Sequence, residues 1–448
     1  MTPGARIQAV IELLDAIQSG NEPTDRLIDA YFRKRRFAGS GDRRNVNQTV
    51  YEILRHRARL DWWIARTGSE LAPGPRSRVI AELALEKKSS PQDTRALFSG
   101  AKHCPEALTS VEDALAEALY GRPLTHTDMP AHVTLEYPEW MDRSLQALWS
   151  ERLAVEMSAL NQPAPVDIRV NTLKASPDAA RRSLKEAFVD AEPTPLSPIG
   201  LRLTGKVRLA GTTAFKNGWI EVQDEGSQLV ALLSDARPGM DVVDFCAGGG
   251  GKTLAMAATM GTSMGGEGDV DGRLTACDIS AYRLERMAPR LKRAGLEKIH
   301  TQVVAAQDDA WITKNAGTMD RVLADVPCTG TGAWRRDPNA RWRSTLDDLD
   351  DMVAVQQRIL GMAASLVKPG GWLIYTTCSL LQEENEQQLA WFLERNADFQ
   401  ALPIDSVWAE TVGGPPPPPG PCLRLSPAST GTDGFFCAVM EKKSETTV

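Results

Sequence analysis

The sequence predicts an α/β fold built on a doubly wound, mostly parallel sheet, with an all-α N-terminal region and a small α+β module before it. From about residue 219 onward, short apolar runs alternate with helical patterns, which is typical of parallel sheets covered by helices. One apolar run ends in four glycines, Gly248 to Gly251, and a helix-favouring run follows them. Residues 5–120 instead repeat apolar side chains at helical spacing.

Residues 1–135 are predicted to form the helical domain. The side chains that carry its helical period are Ile7, Val10, Ile11, Leu14, Ile17, Val50, Ile53, Leu54 and Trp62. Prolines within residues 121–140 indicate a linker, and a further helix is expected from Met141 to Leu160.

Residues 140–215 are predicted to form the small α+β module. The run VDIRVNT, which begins at Val166, favours a strand. The run SPDAARRSLKEAF favours a helix with Ser176 as N-cap and Pro177 in its first position. LRLTG then returns to a strand pattern.

Residues 216–448 hold the predicted parallel sheet, whose ligands should bind beyond the carboxyl ends of the strands. Its strands are expected in the runs DVVDF, LTACD, HTQVVAA, DRVLADV, GWLIYTT and GFFCAVM. The segment Gly413–Pro421, with consecutive prolines from Pro415 to Pro419, indicates a stiff surface loop between the last strands.

Cysteine and histidine usage indicates a reducing cytoplasm. The seven cysteines are scattered without a CxxC pair and the five histidines show no metal-ligand spacing, so we expect free thiols and no metal. No apolar run approaches the length of a membrane span, and the N-terminus lacks the pattern of a signal peptide. We therefore expect a cytoplasmic monomer without a membrane partner.

Charge is distributed unevenly along the chain. The net charge of -7 argues against nonspecific nucleic-acid binding. The segment from Tyr31 to Leu60, however, contains nine arginines and lysines and only two acidic residues. A local basic patch is typical of a protein that binds a phosphate backbone. A solvated helical face is the alternative interpretation.

A second segment combines arginines with tryptophans. Its members are Trp334, Arg335, Arg336, Arg341, Trp342 and Arg343. Such arginines could bind phosphates while a tryptophan stacks on a base. Ordinary packing and salt bridges at a helix start would explain the same pattern.

The glycine turn predicts a ligand. The turn matches neither the dinucleotide-binding pattern G-x-G-x-x-G nor the P-loop pattern G-x-x-x-x-G-K-[ST]. Its glycines nevertheless allow a ligand to approach the backbone closely, and the N-terminus of the helix after it can bind a carboxylate or phosphate. Asp278 ends the next predicted strand, where an acid can hold a ribose diol. An adenosine-containing cofactor is therefore expected, with a nicotinamide cofactor and S-adenosylmethionine (SAM) both possible. Asp308 and Asp309 compete as the acid after the following strand, and Asp325 ends the strand DRVLAD.

Two cysteines lie at strand exits on the side where the cofactor is expected. Cys328 lies in DVPCTGTG and Cys378 lies in YTTCSL. Two thiols at one site indicate covalent chemistry or a disulfide, whereas a lone cysteine is more often a small core residue.

These motifs resemble those of the Sun/Nop/RsmB-type bacterial RNA cytosine-C5 methyltransferases, which use SAM. The matching segments are DFCAGGGGKT, ACDIS with Arg283 after it, DRVLADVPCTGTGAWRRDP and GGWLIYTTCSLLQEENE. The resemblance covers roughly residues 140–440 and implies a Rossmann-like class I SAM methyltransferase domain beside a small RNA-binding module. The helical N-terminus resembles the NusB-like domain of some bacterial members through DRRNVNQTVYEILRHRARLDWWI.

The resemblance also implies roles for individual residues. Cys378 would be the nucleophile, Cys328 would assist release of the product, Asp325 would contact the cytosine ring, and Lys252 would lie near the cofactor and this acid. The implied cofactor-binding residues are Cys246, Ala247, Gly248, Gly249, Gly250, Gly251, Lys252, Asp278, Arg283, Asp308 and Asp325. In the family the second and third residues after the cysteine of this turn are usually Ala and Pro. Here they are Gly248 and Gly249, so we expect a more flexible turn.

The implied function is methyl transfer from SAM to C5 of a cytosine in RNA through a covalent cysteine–C6 adduct. Ribosomal RNA is favoured over transfer RNA because NusB-like extensions accompany ribosomal RNA enzymes in this family. The alternatives are a transfer RNA cytosine-C5 methyltransferase, a SAM methyltransferase for proteins or small molecules with structural cysteines, and a catalytically idle RNA-binding ribosome assembly factor. The paired cysteines and the basic patches argue against the methyltransferase for proteins or small molecules. Intact Cys328, Cys378 and Asp325 argue against the idle assembly factor.

Overall fold

The computed structural model describes residues 1–20, 22–67, 70–205, 208–261, 270–305, 309–414, 416–417 and 420–444. Contacts divide the chain into two compact units. One unit comprises Met1–Gln162 with Trp334–Ser344, and the other comprises Pro163–Ala333 with Thr345–Val448. Within the described residues, no helix is both long and apolar enough to cross a membrane.

The first unit is helical, as the sequence predicts. Its helices are α1 (Pro3–Ser19), α2 (Thr24–Arg33), α3 (Ser40–Arg55), α4 (Arg57–Arg66), α5 (Pro75–Leu85), α6 (Pro91–Leu97), α7 (Ser110–Leu119), α8 (Ala131–Thr134), α9 (Asp142–Trp149) and α10 (Leu153–Leu160). The predicted apolar period forms the core, since Val10, Leu14, Val50 and Ile53 are all buried in one cluster.

Two details of this unit differ from the sequence-based expectation. The expected linker over residues 121–140 contains the short helix α8. The single helix expected from Met141 to Leu160 is interrupted between α9 and α10, where Ser150 adopts φ +45° and opens a 3-10 turn over Ser150–Arg152. A positive φ cannot continue a right-handed helix, so the two halves are separate helices.

The second unit begins with a small antiparallel sheet. Its elements are β1 (Val166–Val170), α11 (Pro177–Glu186), β2 (Ala191–Pro193), β3 (Gly200–Leu203), α12 (Thr213–Lys216) and β4 (Ile220–Val222). The strand order is β2-β3-β1-β4. The predicted helix cap is confirmed, because Ser176 Oγ accepts a hydrogen bond from the Ala179 amide at 3.2 Å and Pro177 opens the helix.

The large sheet carries the candidate site. Its elements and flanking helices are α13 (Glu225–Leu233), β5 (Met240–Asp244), α14 (Gly251–Thr259), β6 (Gly272–Asp278), α15 (Ala281–Ala294), β7 (His300–Val303), α16 (Ala310–Lys314), β8 (Met319–Asp325), α17 (Leu346–Leu366), β9 (Val367–Thr377), α18 (Glu386–Arg395), β10 (Phe399–Ala401), α19 (Ile404–Thr411), β11 (Leu423–Leu425), α20 (Pro427–Thr430) and β12 (Phe435–Lys442). The order is β10-β12-β9-β8-β5-β6-β7, and β11 also pairs with β12. The five strands β9, β8, β5, β6 and β7 are parallel to one another, while β12 is antiparallel to β9. The predicted mostly parallel, doubly wound sheet is confirmed.

The segment Trp334–Ser344 packs within the helical unit although it follows the Cys328 loop in sequence. Arg341 is buried, and its Nη1 donates to the Glu136 carbonyl at 2.6 Å and to Asn161 Oδ1 at 3.1 Å. Its guanidinium lies 5.1 Å from the centre of the Trp334 ring, and burial lowers the pKa of Arg341 to about 10.

The sequence left stacking on an RNA base and ordinary packing both open for Trp334, and the structure favours packing. Only 1% of Trp334 is exposed, so a base cannot reach its ring. Trp342 is half-buried, with the Arg57 guanidinium 5.5 Å from its ring centre. The packing interpretation describes these tryptophans because burying their large apolar surface stabilises the unit more than exposure would.

Candidate active site

The glycine turn joins β5 to α14 and is tied to the end of β6. The Ala247 amide donates to the Cys277 carbonyl at 2.8 Å, and the Gly248 amide donates to Asp278 Oδ2 at 2.9 Å. Gly248 has φ +54° and Gly250 has φ +77°, conformations that favour glycine. A Cβ at Gly250 would also come within 2.4 Å of Met287. The turn therefore needs glycine at these two positions for its own geometry.

A cavity of about 320 Å³ opens at the carboxyl ends of the strands and reaches from Asp278 to Asp325. Phe245 and Ile279 line it with apolar surface, and Arg283 lines it beside Asp278. This volume lies in the range of small-molecule sites. A carboxylate for a ribose diol and apolar walls for an adenine ring both face one space, so the residues fit SAM.

Asp278, which the sequence predicts to hold the ribose diol, lies in the wall of this cavity. The side chain is buried, its Oδ1 accepts from the Ser280 amide at 2.8 Å, and Arg283 Nη1 lies 3.7 Å from the same oxygen. These contacts fix the carboxylate at the cavity wall, and each of its oxygens keeps a further lone pair for a hydroxyl donor.

The acid expected after β7 is not assigned by the structure. Asp308 lies outside the described residues. Asp309 caps α16, since its Oδ1 accepts from the Trp311 amide at 2.8 Å. An N-cap explains Asp309 without a ligand.

Lys252 and Asp325 form an ion pair between the start of α14 and the end of β8. Their Nζ and Oδ2 atoms are 2.6 Å apart. Burial acts to lower the pKa of Lys252, but the charge and hydrogen bond of Asp325 outweigh it, and the pKa ends above its usual value. Lys252 is thus a permanent cation beside a half-buried carboxylate that also lines the cavity.

The two cysteines meet because β8 and β9 are adjacent and parallel. Asp325 pairs in register with Thr376, so Cys328 and Cys378 follow neighbouring strand ends. Their Sγ atoms are 3.5 Å apart. The contact with Cys378 and burial raise the pKa of Cys328 well above its ordinary value, so Cys328 holds its proton at neutral pH.

Several buried polar residues of this site have no role predicted from the sequence, although Glu384 and Asn385 lie in the matching segment GGWLIYTTCSLLQEENE. Asp244, at the end of β5, is buried and accepts from Thr253 Oγ1 at 2.6 Å. Glu384 and Asn385 belong to the run QEENE, whose acidic pattern resembles a solvated helix start, yet both are fully buried. Their burial is a property of the folded chain, and Glu384 contacts Thr329, which is 55 residues away in sequence.

The Asp278 assignment predicts a loss of cofactor affinity. We expect Asp278→Ala to raise the dissociation constant for SAM about 10- to 100-fold, because hydrogen bonds to a charged acceptor contribute roughly 1.5–3 kcal/mol. Isothermal titration calorimetry measures it. Asp241→Ala is the matched control, since Asp241 lies at the opposite end of β5 and pairs with Arg273. Unchanged affinity for Asp278→Ala would contradict the assignment.

The fold and the site together define a Rossmann-like methyltransferase with paired thiols. Residues 231–441 match the family model of the 16S rRNA methyltransferase RsmB/F, and residues 137–210 match the ferredoxin-like domain model of the RsmF/B-like methyltransferases. The chain belongs to the RsmB/F methyltransferase family. Its methyl donor is SAM, consistent with the cofactor predicted from the sequence.

Similar proteins extend over most or all of the chain. A probable ribosomal RNA small subunit methyltransferase B of Synechocystis is 29% identical over 97% of this chain and 99% of its own length. The ribosomal RNA small subunit methyltransferase B of Xanthomonas campestris pv. campestris is 32% identical over 69% of this chain and 67% of its own length. The crystal structure of PH0851 superposes with a TM-score of 0.77 at 27% identity, covering 99% of both chains.

Proposed function

We propose that the protein methylates C5 of a cytosine in RNA of the small ribosomal subunit, with Cys378 as the attacking thiolate. The observation that carries the proposal is the 3.5 Å separation of the Cys328 and Cys378 sulfurs, next to the Lys252–Asp325 ion pair. The names of the similar proteins support a small-subunit ribosomal RNA as the substrate. SAM supplies an electrophilic methyl group when it is bound.

The residues have to overcome the poor nucleophilicity of C5. Addition of the Cys378 thiolate to C6 forms a C–S bond and shifts the electron pair of the C5–C6 double bond toward C5 and N3. C5 then carries enough electron density to attack a methyl group. We assign Asp325, which Lys252 holds through a hydrogen bond of 2.6 Å, to the amino group and N3 edge of the ring, where a proton between the carboxylate and N3 offsets the negative charge that attack places on N3. After C5 has gained the methyl group, its proton passes to a water molecule and the C5–H electron pair re-forms the C5–C6 double bond. The C–S bond breaks in the same step, and its electron pair returns to Cys378 as the thiolate.

Cys328 is suited to the release step. Its sulfur lies 3.5 Å from that of Cys378, beside the bond that must break, and its raised pKa favours the thiol form, which can donate a hydrogen bond to the departing thiolate. The target base must reach both sulfurs, so it has to be unpaired or turned out of a helix.

The proposal is tested with isotope-labelled SAM and purified RNA fractions. We expect label in small-subunit ribosomal RNA, and bisulfite sequencing with and without the protein should then show one or a few new 5-methylcytosines. Label in transfer RNA alone would move the substrate to that class. Label in protein or in no fraction would contradict RNA methylation.

The basic surface of the helical unit predicts a contribution to RNA binding. Arg33, Lys34 and Arg36 are exposed, whereas Arg35 pairs with Glu12 at 3.0 Å. We expect glutamine at the three exposed positions to weaken RNA binding and to reduce the salt slope of log K by about 2, since each phosphate contact to a single strand contributes about 0.7. Fluorescence anisotropy at several salt concentrations measures both quantities.

The control for this surface replaces exposed cations elsewhere by glutamine. Lys314, Arg395 and Lys443 are suitable because they are exposed and Lys314 ends α16 shortly before the start of β8, opposite the end at which Asp325 lies. The control should keep the wild-type slope. If the variant of the helical unit also keeps it, this patch is only a solvated surface.

A further inference from the structure

Two consecutive buried side chains, Glu384 and Asn385, lie between β9 and α18. Both have 0% of their surface exposed, although the run that contains them is highly polar. Burial of a carboxylate and an amide is costly unless each polar atom finds a partner. Their partners therefore show what these side chains do.

Glu384 binds the loop that carries Cys328. Its carboxylate accepts from the Thr329 amide at 2.8 Å, from Thr329 Oγ1 at 2.5 Å and from Gln356 Nε2 at 3.0 Å. Gln356 Nε2 also donates to the Pro327 carbonyl at 3.0 Å. The residues on both sides of Cys328 are thus held, directly or through Gln356, by one carboxylate.

Asn385 binds the segment that carries Cys378. Its Oδ1 accepts from Thr377 Oγ1 at 2.6 Å, and its Nδ2 donates to the Ser379 carbonyl at 2.9 Å. Thr377 and Ser379 are the two neighbours of Cys378, and both are fully buried. Asn385 therefore holds the side chain of Thr377 and the backbone of Ser379, one on either side of this cysteine.

The two cysteine segments are also joined to each other. The Gly332 amide donates to the Cys378 carbonyl at 2.9 Å, and Thr329 Oγ1 lies 3.3 Å from Ser379 Oγ. Glu384 and Asn385 are adjacent in sequence, so any shift of one segment against the other must strain a single short turn. The separation of the two sulfurs is set by this network.

We propose that Glu384 and Asn385 are positioning residues that hold the two thiols in register, Glu384 for the release cysteine Cys328 and Asn385 for the attacking cysteine Cys378. This inference rests on the proposed function. It adds that the two reaction steps are controlled by separate arms of one turn. Displacement of a reacting group by about 1 Å can cost on the order of 100-fold in rate, so loss of one arm should impair one step.

The threonine partners allow one hydrogen bond of each arm to be removed without changing a buried charge. Thr329→Val deletes the hydroxyl that binds Glu384 and keeps the shape of the side chain. We expect it to slow multiple turnover about 10- to 100-fold, to leave single-turnover methylation within about threefold of wild type, and to accumulate a covalent protein–RNA band in denaturing electrophoresis. Thr329→Ser keeps the hydroxyl donor, so the covalent protein–RNA band expected for Thr329→Val should not accumulate in this variant.

The other arm should give the opposite result. Thr377→Val removes the donor to Asn385 and should slow single-turnover methylation about 10- to 100-fold without a covalent band. Thr377→Ser should restore the rate. Glu384→Gln and Asn385→Asp provide a second variant on each arm, and thermal unfolding of all variants shows that they are folded.

The outcomes separate the two proposals. Valine variants that slow both steps equally, or serine variants that fail to restore them, would mean that the turn is only structural and would overturn the inference. Wild-type protein that transfers no methyl group to RNA would overturn the proposed function and the inference together. The inference fails alone when the wild type is active and the two valine variants behave alike.

Discussion

Cys378→Ala should abolish methyl transfer and form no covalent RNA adduct, whereas Cys328→Ala should still attack and methylate but stall before release. For Cys378→Ala we expect turnover to fall by on the order of 10⁴-fold or more, as when other covalent nucleophiles are removed. Cys328→Ala should trap a protein–RNA complex that survives denaturing electrophoresis. In the proposed mechanism only one of the two adjacent sulfurs, which are 3.5 Å apart, forms the bond to C6.

The competing assignment comes from DNA cytosine methyltransferases, in which the cysteine of a Pro-Cys motif is the nucleophile. By that analogy Cys328, which follows Pro327, would attack. A trapped band with Cys378→Ala and none with Cys328→Ala would reverse the roles. No band with either variant would contradict covalent catalysis. Cys437→Ala is the control, because Cys437 is a buried cysteine of β12 within the core and should leave the band pattern unchanged.

Asp244→Asn should remove a large part of the pH dependence of stability. Asp244 is buried, its Oδ1 has no hydrogen-bond partner among the described residues, and burial, together with the charge of Asp325, raises its pKa to about 7. Because the folded-state pKa lies above the unfolded value of about 3.9, the folded state binds this proton more tightly. The resulting stabilisation is complete below about pH 4 and is lost as the pH rises through about 7.

The size of this effect follows from the shift in pKa. About three units at roughly 1.4 kcal/mol each give a loss of about 4 kcal/mol in the wild type between pH 4 and pH 8. Asparagine does not titrate, so the free energy of unfolding of the variant relative to wild type should rise by about this amount over the same range. Urea unfolding at several pH values measures it.

The control for Asp244 is Asp241→Asn. Asp241 lies near the start of β5, at the end opposite Asp244, and forms an exposed ion pair with Arg273. Exposed pairs contribute little to stability, so this variant should follow the wild-type pH profile. A constant difference between Asp244→Asn and wild type at all pH values would show that Asp244 does not titrate in this range.

Local signals allowed most of the fold to be predicted. The runs DVVDF, LTACD, DRVLADV and GWLIYTT all contain strands of the large sheet, because consecutive β-branched and apolar residues suit strands buried on both faces. The cap at Ser176 was predictable for a similar reason, since its hydroxyl binds an amide only three residues away. Such features depend on neighbours in sequence.

The placement of the segment Trp334–Ser344 was not predictable in this way. Its alternating arginines and tryptophans suit either RNA or a protein interior, and the choice depends on partners such as Glu136 and Asn161, nearly two hundred residues away in sequence. Burial of the Trp334 ring decided the question in favour of packing.

The sequence by itself therefore determined the class of fold, the glycine turn, and the residue types that can act on a methyl donor and a base. Only the tertiary structure decided which of them meet. The distance of 2.6 Å between Lys252 and Asp325 joins positions 73 residues apart, and the contact of Cys328 with Cys378 joins positions 50 apart. The surroundings of the buried residues Glu384 and Asn385 likewise depend on the pairing of the adjacent parallel strands β8 and β9. No local pattern specifies which polar groups a folded core brings within hydrogen-bonding distance.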